Sequence, residues 1–377
     1  MFKPLALAAA LASALALPAQ AGEAFAYISS PNDGLISQYR LDDSTGAVSL
    51  VEQVKAGDKV NPMAISPDGS TLFAARRVAP FTVLSYSIDA KTGHLALRSQ
   101  APLAESMAYL STDRSGRFLM AASYGGNILS VQAIDGQQRV SDKIQTYKTG
   151  PFAHSIRSDL SDQFVYAGNL GADKVLQFRQ DKKSGALTPI GDGYVSTVAK
   201  TGPRHIVFSP NGKYLYVVGE LSGTVTGYAI DPASGALKQV SQAAGIPESL
   251  KLAHGEARSA ANNDLKDDPT PRIWAADIRL SPDGTLLYIT ERTSSSVSAF
   301  TVDPQNGALS FVGNYPVEEK QPRNIAFFPG GKWLLVTGEK SPTIGSYAIG
   351  KGGSLKRAGQ APSGDGALWI EILPAKR

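Results

Sequence analysis

His154, Arg204 and Glu220 are the residues through which this chain could do acid–base chemistry. A histidine takes or gives a proton near neutrality, a carboxylate can serve as a base, and an arginine stays charged and forks onto an oxyanion. Other polar residues fit to bind a hydroxylated or anionic ligand are Arg76, Tyr124, Asn169, His205, Asp277 and Arg323. They are scattered along the chain, so the set gains meaning only if the fold gathers it. The four histidines form no His-x-x-x-His pair, and no carboxylate-rich metal loop is present. The reading therefore calls for no cofactor, while the carboxylates leave room for a divalent cation.

Composition narrows the chemistry further. The 377 residues include no Cys, which excludes disulfides, thiolate nucleophiles, Cys-ligated zinc and iron–sulfur clusters. Charged residues make up 19% and the net charge is only +4, without a basic run of five, so nucleic acid is not an expected partner. Gly (37) and Pro (23) are frequent and separate short apolar runs, a pattern of many turns and short strands.

The elements that must position these residues come from a repeat. One signature is an aromatic or apolar strand, Asp, a turn ending in Gly, and a second strand. Its glycines are Gly46, Gly93, Gly136, Gly185, Gly235, Gly307 and Gly353, spaced 47, 43, 49, 50, 72 and 46 apart. A second signature interleaves with it: a strand, a Ser-Pro-Asp-Gly-like turn, and a returning strand, as at Ser66–Gly69, Ser209–Gly212 and Ser281–Gly284. Pro sets φ and Gly accepts positive φ, so each reads as a hairpin. Four short strands per 45–50 residues is the period of a propeller blade. The first signature occurs seven times and the second six; the missing inner strand is Ala367–Leu373, which pairs with Phe25–Ser29. The fold class is all-β: a seven-bladed β-propeller of four-stranded antiparallel blades, its ring closed by a C-terminal strand.

This topology sorts the chemistry. Starts of innermost strands and ends of the second strands share one face, while both signature turns lie on the other. His154, Arg204-His205, Asp277 and Arg323 stand at the former; Arg76-Arg77, Tyr124, Asn169, Glu220 and Arg292 at the latter. One channel mouth thus gathers His, Arg, Glu and Asp, with His205 expected to point away from Arg204, as strand neighbours do. The 72-residue interval carries an insertion, about 241–272, readable as a solvated loop or as a lid over the mouth.

Residues 1–21 read as an export signal. Lys3 precedes an apolar run from Leu5 to Leu17, and Ala19-Gln20-Ala21 is a small-x-small cleavage site. The mature chain, 22–377, is then one propeller domain, a periplasmic monomer without stable membrane insertion.

The same segments resemble the propeller-type 6-phosphogluconolactonase family, over essentially all of residues 25–373. The resemblance rests on Gly202-Pro-Arg-His-Ile-Val-Phe-Ser-Pro-Asn-Gly212, Gly219-Glu-Leu221, Trp274-Ala-Ala-Asp-Ile278, Glu291-Arg-Thr293 and Gln321-Pro-Arg323. It implies hydrolysis of a small-molecule sugar lactone. By resemblance to muconate-lactonising relatives, His154, Arg204 and Glu220 form the catalytic set, with Arg292 as a further arginine and Arg272 or Arg279 as alternatives to it. Arg76, Tyr124, Asn169, His205, Asp277 and Arg323 are the substrate-binding candidates. Either Glu220 or His154 is the base. An export signal on such a chain resembles the periplasmic gluconolactonases, with D-glucono-1,5-lactone as substrate and gluconate as product. Two alternatives stand beside this: a 6-phosphogluconolactonase or broader lactonase, and a non-enzymatic propeller that binds sugars or proteins on the same face.

Overall fold

The computed structural model describes residues 23–374, Lys266 excepted; the segment 1–21, read above as an export signal, lies outside the described residues. Twenty-eight strands form seven four-stranded antiparallel sheets. Their innermost strands are Trp369–Pro374, Val60–Ile65, Tyr109–Thr112, Ala153–Ser158, Pro203–Phe208, Ala275–Leu280 and Pro322–Phe327, each packed beside the next around the channel. The first sheet is split as the repeat predicts. Trp369–Pro374 pairs antiparallel with Glu23–Ser30, matching Ser29 to Trp369 and Phe25 to Leu373. The ring therefore has no open edge at its seam.

The repeats fold this way because each signature supplies its own turn. At Asp89, for example, the carboxylate accepts the backbone N–H groups of Lys91 and Thr92, and Gly93 closes the turn at φ 71°. That left-handed backbone is one only glycine adopts without strain. The buried face of each sheet packs on the next, and tyrosines fasten the blades together. The hydroxyls of Tyr27, Tyr166, Tyr216 and Tyr288 donate to the carbonyls of Gly93, Gly235, Gly307 and Gly353, each in the following blade. A buried phenol needs such a partner, so the aromatic core also fixes the angle between blades.

The insertion follows the strand Leu237–Ala244. It carries two 3-10 turns, Glu248–Leu250 and Ala260–Leu265, and is pinned to its own blade where Gly255 N–H donates to Leu221 O.

Candidate active site

The innermost strands do not run as plain strands at the channel mouth. In Pro203–Phe208 the pairing steps from Pro203–Gly219 to Ile206–Val217, so Arg204 and His205 together face the single residue Val218. Equivalent bulges hold His154, Ala276-Asp277, Arg323 and Asn61-Pro62. A bulge inserts a residue and re-aims the side chains around it. The chain enters four of these strands through a left-handed residue immediately before the strand and two positions before the bulge: Lys59 (φ 54°), Phe152 (64°), Gly202 (67°) and Gln321 (53°). Three of the four are not glycine, a conformation that costs about 1–2 kcal/mol each and concentrates at functional sites.

These bulges open onto a cavity of about 300 Å3 at the channel mouth, walled by His154, Arg204, His205, Glu220, Arg292 and Arg323 among others. Trp369 of the closing strand also borders it, as well as a cavity of about 290 Å3 toward the opposite face. The ring of Tyr109 packs edge-on against Trp369 and His205, which plugs the channel between the two.

A buried chain of polar contacts fixes the wall. Arg204 is 2% exposed. Its Nε donates to Glu220 Oε2 at 2.6 Å, and its Nη1 donates to Ala276 O at 2.5 Å and to His205 Nε2 at 3.0 Å. Its Nη2 has no protein partner among the described residues. Glu220 Oε1 lies 2.8 Å from Arg292 Nη2, an ion pair rather than an aligned hydrogen bond, while Arg292 Nε donates to Trp274 O at 3.0 Å. His205 is committed at both nitrogens. Since Nε2 accepts from Arg204, Nδ1 carries the proton and donates to Asp277 Oδ1 at 2.8 Å. Asp277 Oδ2 accepts from Asn324 Nδ2 and Arg279 Nε.

The electrostatics separate the two base candidates. Burial opposes the charge on Glu220, but the guanidinium groups of Arg292, Arg204 and Arg323 outweigh it and hold the carboxyl at about 2. Burial, with the charges of Arg204 and of neighbouring groups, holds the His154 imidazole well below its usual range, so it is neutral at pH 7. His154 Nδ1 is buried without a hydrogen-bond partner. Its ring lies edge-on to His205 and to Tyr124, which in turn stacks on Phe152 with centroids 4.4 Å apart. Burial also lowers Arg204, to about 9, which leaves it charged at neutrality.

Of the residues singled out in the sequence, the structure brings His154, Arg204, His205, Glu220, Arg292, Arg323 and Tyr124 to one cavity. His205 does not turn away from Arg204, because the bulge breaks strand alternation. Arg76, Asn169 and Asp277 do not line this cavity. Asn169 is fully buried and donates through Nδ2 to Gly150 O and Pro151 O, a loop brace. Asp277 stands behind His205, and Arg77 rather than Arg76 reaches the wall. Arg279 lines the opposite cavity, and Arg272 pairs with Asp268 within the insertion, so neither alternative takes the place of Arg292. Asn61, Ser106 and Trp369 are wall residues that the repeat pattern does not reveal. Arg258 of the insertion is another: its guanidinium lies 3.7 Å over the Trp274 ring and its carbonyl accepts from Tyr124 Oη at 2.7 Å. Among the described residues, no group of three or more His, Asp and Glu is placed to hold a metal ion.

Comparison with known proteins bears on the same region of the chain. Residues 25–372 match the family model described as Lactonase, 7-bladed beta-propeller. The 6-phosphogluconolactonase of Serratia proteamaculans is 36% identical over 348 residues, covering 92% of this chain and 98% of that protein. The 6-phosphogluconolactonase of Yersinia pestis is 34% identical over 351 residues, covering 93% and 98%. Among solved structures, the periplasmic gluconolactonase of Pseudomonas aeruginosa superposes with a TM-score of 0.78 at 25% identity, covering 94% of this chain and all of that one. With its seven blades and its match along nearly the whole propeller, the chain belongs to the lactonase family of seven-bladed β-propellers.

Proposed function

We propose that this lactonase opens D-glucono-1,5-lactone to gluconate, that it does so in the periplasm after loss of residues 1–21, and that His154 is its general base. The observation that carries the mechanism is the contrast between a neutral, unpartnered imidazole and a carboxylate already held by two guanidinium groups. His154 takes a proton from water as the water oxygen bonds to the lactone carbonyl carbon. The negative charge moves onto the carbonyl oxygen, where Arg204 Nη2 and Arg292 meet it in a largely dry wall. The tetrahedral centre then collapses, the ring C–O bond breaks, the imidazolium returns its proton to the departing ring oxygen, and the new carboxyl group releases its own proton to solvent, leaving gluconate. Glu220 does not move a proton in this scheme. It holds the two arginines in register, and the pair His205–Asp277 holds Arg204 from the other side.

A second reading, the 6-phosphate of the same lactone as substrate, is favoured by one observation: five arginines and a single carboxylate line the cavity. The curated relatives carry that activity in their names. Purified protein assayed against both lactones, with spontaneous hydrolysis subtracted, separates the two. Hydrolysis of neither above background would return the molecule to the class of binding propellers. N-terminal sequencing of the exported form, expected to begin at Gly22, tests the compartment.

A further inference from the structure

Behind the plug of Tyr109, Trp369 and His205 lies the cavity of about 290 Å3 on the opposite face, and lactone opening makes no use of its charged groups. Its wall takes Arg157, Arg279 and Glu371 from three innermost strands. Each guanidinium leans on the next innermost strand: Arg157 Nη1 donates to Ile206 O at 3.3 Å and Arg279 Nε donates to Ile325 O at 2.9 Å. Arg157 Nη2 and both terminal nitrogens of Arg279 have no protein partner among the described residues. Glu371 Oε1 accepts from Trp369 Nε1 at 2.9 Å; Oε2 has no partner among those residues, and no arginine stands within ion-pair distance of it. Burial pushes the Glu371 carboxyl up, against the pull of Arg279 and Arg157, so these charges sense one another across the cavity without touching. Tyr109 is 6% exposed, and its hydroxyl, on the same wall, makes no hydrogen bond to the described residues. Partly dry charges that do not pair cost stability, and a ligand bearing the complementary groups offsets that cost. Two guanidinium forks suit a carboxylate. Glu371 Oε2 only accepts, so it favours hydroxyl donors beside that carboxylate and repels a dianion that has none.

We propose that this rear cavity is a second small-molecule site, that it takes a hydroxylated carboxylate monoanion, with the carboxylate on Arg157 and Arg279 and hydroxyls on Glu371 and Tyr109, and that its occupancy reaches the catalytic wall. The route is a run of hydrogen bonds: Arg279 Nε donates to Asp277 Oδ2 at 3.0 Å, His205 Nδ1 to Asp277 Oδ1 at 2.8 Å, and Arg204 Nη1 to His205 Nε2 at 3.0 Å. A ligand carboxylate that draws Arg279 toward itself loosens Asp277, which fixes the His205 tautomer and, through it, Arg204. The site stands on its own geometry, and only the coupling rests on the lactonase reading. Lactone opening yields a hydroxylated carboxylate, so the coupling is feedback by the product.

The test titrates the full mature chain calorimetrically with gluconate at matched ionic strength. The comparison probes are acetate, which has no hydroxyls, glucitol, which has no charge, and inorganic phosphate. Gluconate is expected to bind tightest. Arg157→Met is expected to weaken it about tenfold, as loss of a charged hydrogen-bond donor does, and Arg157→Lys, which keeps the charge without the fork and guards against misfolding, several-fold. Glu371→Gln is expected to narrow the preference for gluconate over acetate. None of the three variants changes kcat or KM for the lactone when gluconate is absent. In the wild type, gluconate in the rear cavity lowers kcat about fivefold, the low end of ordinary coupling between sites, and Arg157→Met loses this effect. Gluconate bound in the catalytic cavity instead raises the apparent KM and does so equally in every variant. Gluconate that only competes with the lactone, and binds alike to wild type, Arg157→Met and Arg157→Lys, overturns the site. Phosphate or acetate binding more tightly than gluconate overturns the ligand class. Binding that Arg157→Met loses, with a wild-type kcat indifferent to gluconate, overturns the coupling. A wild type that opens no lactone yet binds gluconate, and loses it in Arg157→Met, overturns the lactonase reading and keeps the site.

Discussion

Arg204 Nε and Glu220 Oε2 lie 2.6 Å apart in a wall where the arginine is 2% and the glutamate 7% exposed. At a water-filled channel mouth either residue could be replaced with little loss of stability. A buried pair behaves differently, because removing one partner strands the other charge away from water.

Glu220→Ala is therefore expected to destabilise the protein by about 3–5 kcal/mol as well as to inactivate it. Glu220→Gln, which keeps the shape and one acceptor, costs less stability but releases Arg292. Urea denaturation of both variants measures this; unchanged midpoints would mean that the pair is solvated.

His154→Gln is expected to lower kcat by about 10²–10⁴-fold with little change in KM, as loss of a proton-transfer group does. Arg204→Ala removes an oxyanion partner and is expected to cost about a hundredfold in rate, with a fall in melting temperature that His154→Gln does not share. Lys238→Ala, on an exposed strand position, serves as the neutral control. Full activity in His154→Gln would pass the role of base back to Glu220.

The pH dependence of stability has a definite sign. His205 sits at about 3 and His154 well below its usual 6.5, so both stay neutral in the fold but take protons when unfolded. Stability is then fully present above pH 6.5 and declines as pH falls below it, by about 1.4 kcal/mol per pH unit for each such histidine. Glu220 and Asp277, both depressed to about 2, add losses only as pH drops from about 4.5 toward 2. Melting curves from pH 8 to 4 should show an early decline that is shallower in His154→Gln. A flat profile down to pH 5 would contradict the buried neutral histidines.

Gly168 presses its Cα side against the neighbouring blade, where an added Cβ would meet Arg204 O at 2.6 Å and Pro203 O at 2.9 Å. Gly168→Ala is expected to push the Arg204 bulge outward and to reduce kcat at least tenfold while KM changes little. Its lesson would be positional, since Gly168 touches no substrate; unaltered kinetics would show that the bulge tolerates displacement.

Deletion of residues 367–377 removes Trp369 and Ile370, which are buried at the seam. Losing two such side chains is worth about 3–6 kcal/mol, a large part of an ordinary domain's stability. The truncated chain should be insoluble or melt far lower, as thermal unfolding of any soluble fraction would report.

Blade number, ring closure and the face that carries the chemistry were legible in the sequence because each depends on turns, and turns are written in Gly, Pro and Asp. Arg204, Glu220 and Arg292 could be placed at one mouth from topology alone. What could not be read was side-chain direction where the backbone departs from alternation. The bulge at Arg204-His205 puts both on the same wall, and the neighbouring bulge sets Asp277 behind His205 rather than beside a ligand. Asn169 looked like a ligand contact because, like Glu220, it stands near the end of a second strand, yet it pairs with Ala153 as Gly219 pairs with Pro203, one residue short of the Glu220 position, and its Nδ2 is used up by two carbonyls. Arg258 stood out as a polar residue of the insertion but could not be placed at the wall, because an insertion has no repeat to index it.

The seam between Glu23–Ser30 and Trp369–Pro374 also sets an order of events. Six sheets are each made from consecutive strands and can form locally as the chain emerges. The seventh joins the two ends of the propeller, so it bears the largest loop-closure entropy in the molecule, and its contacts come last. Trp369 reaches the floor of the cavity only at that moment. The catalytic wall is thus completed by the final step of folding, and a chain stalled before that step has six blades and no finished site.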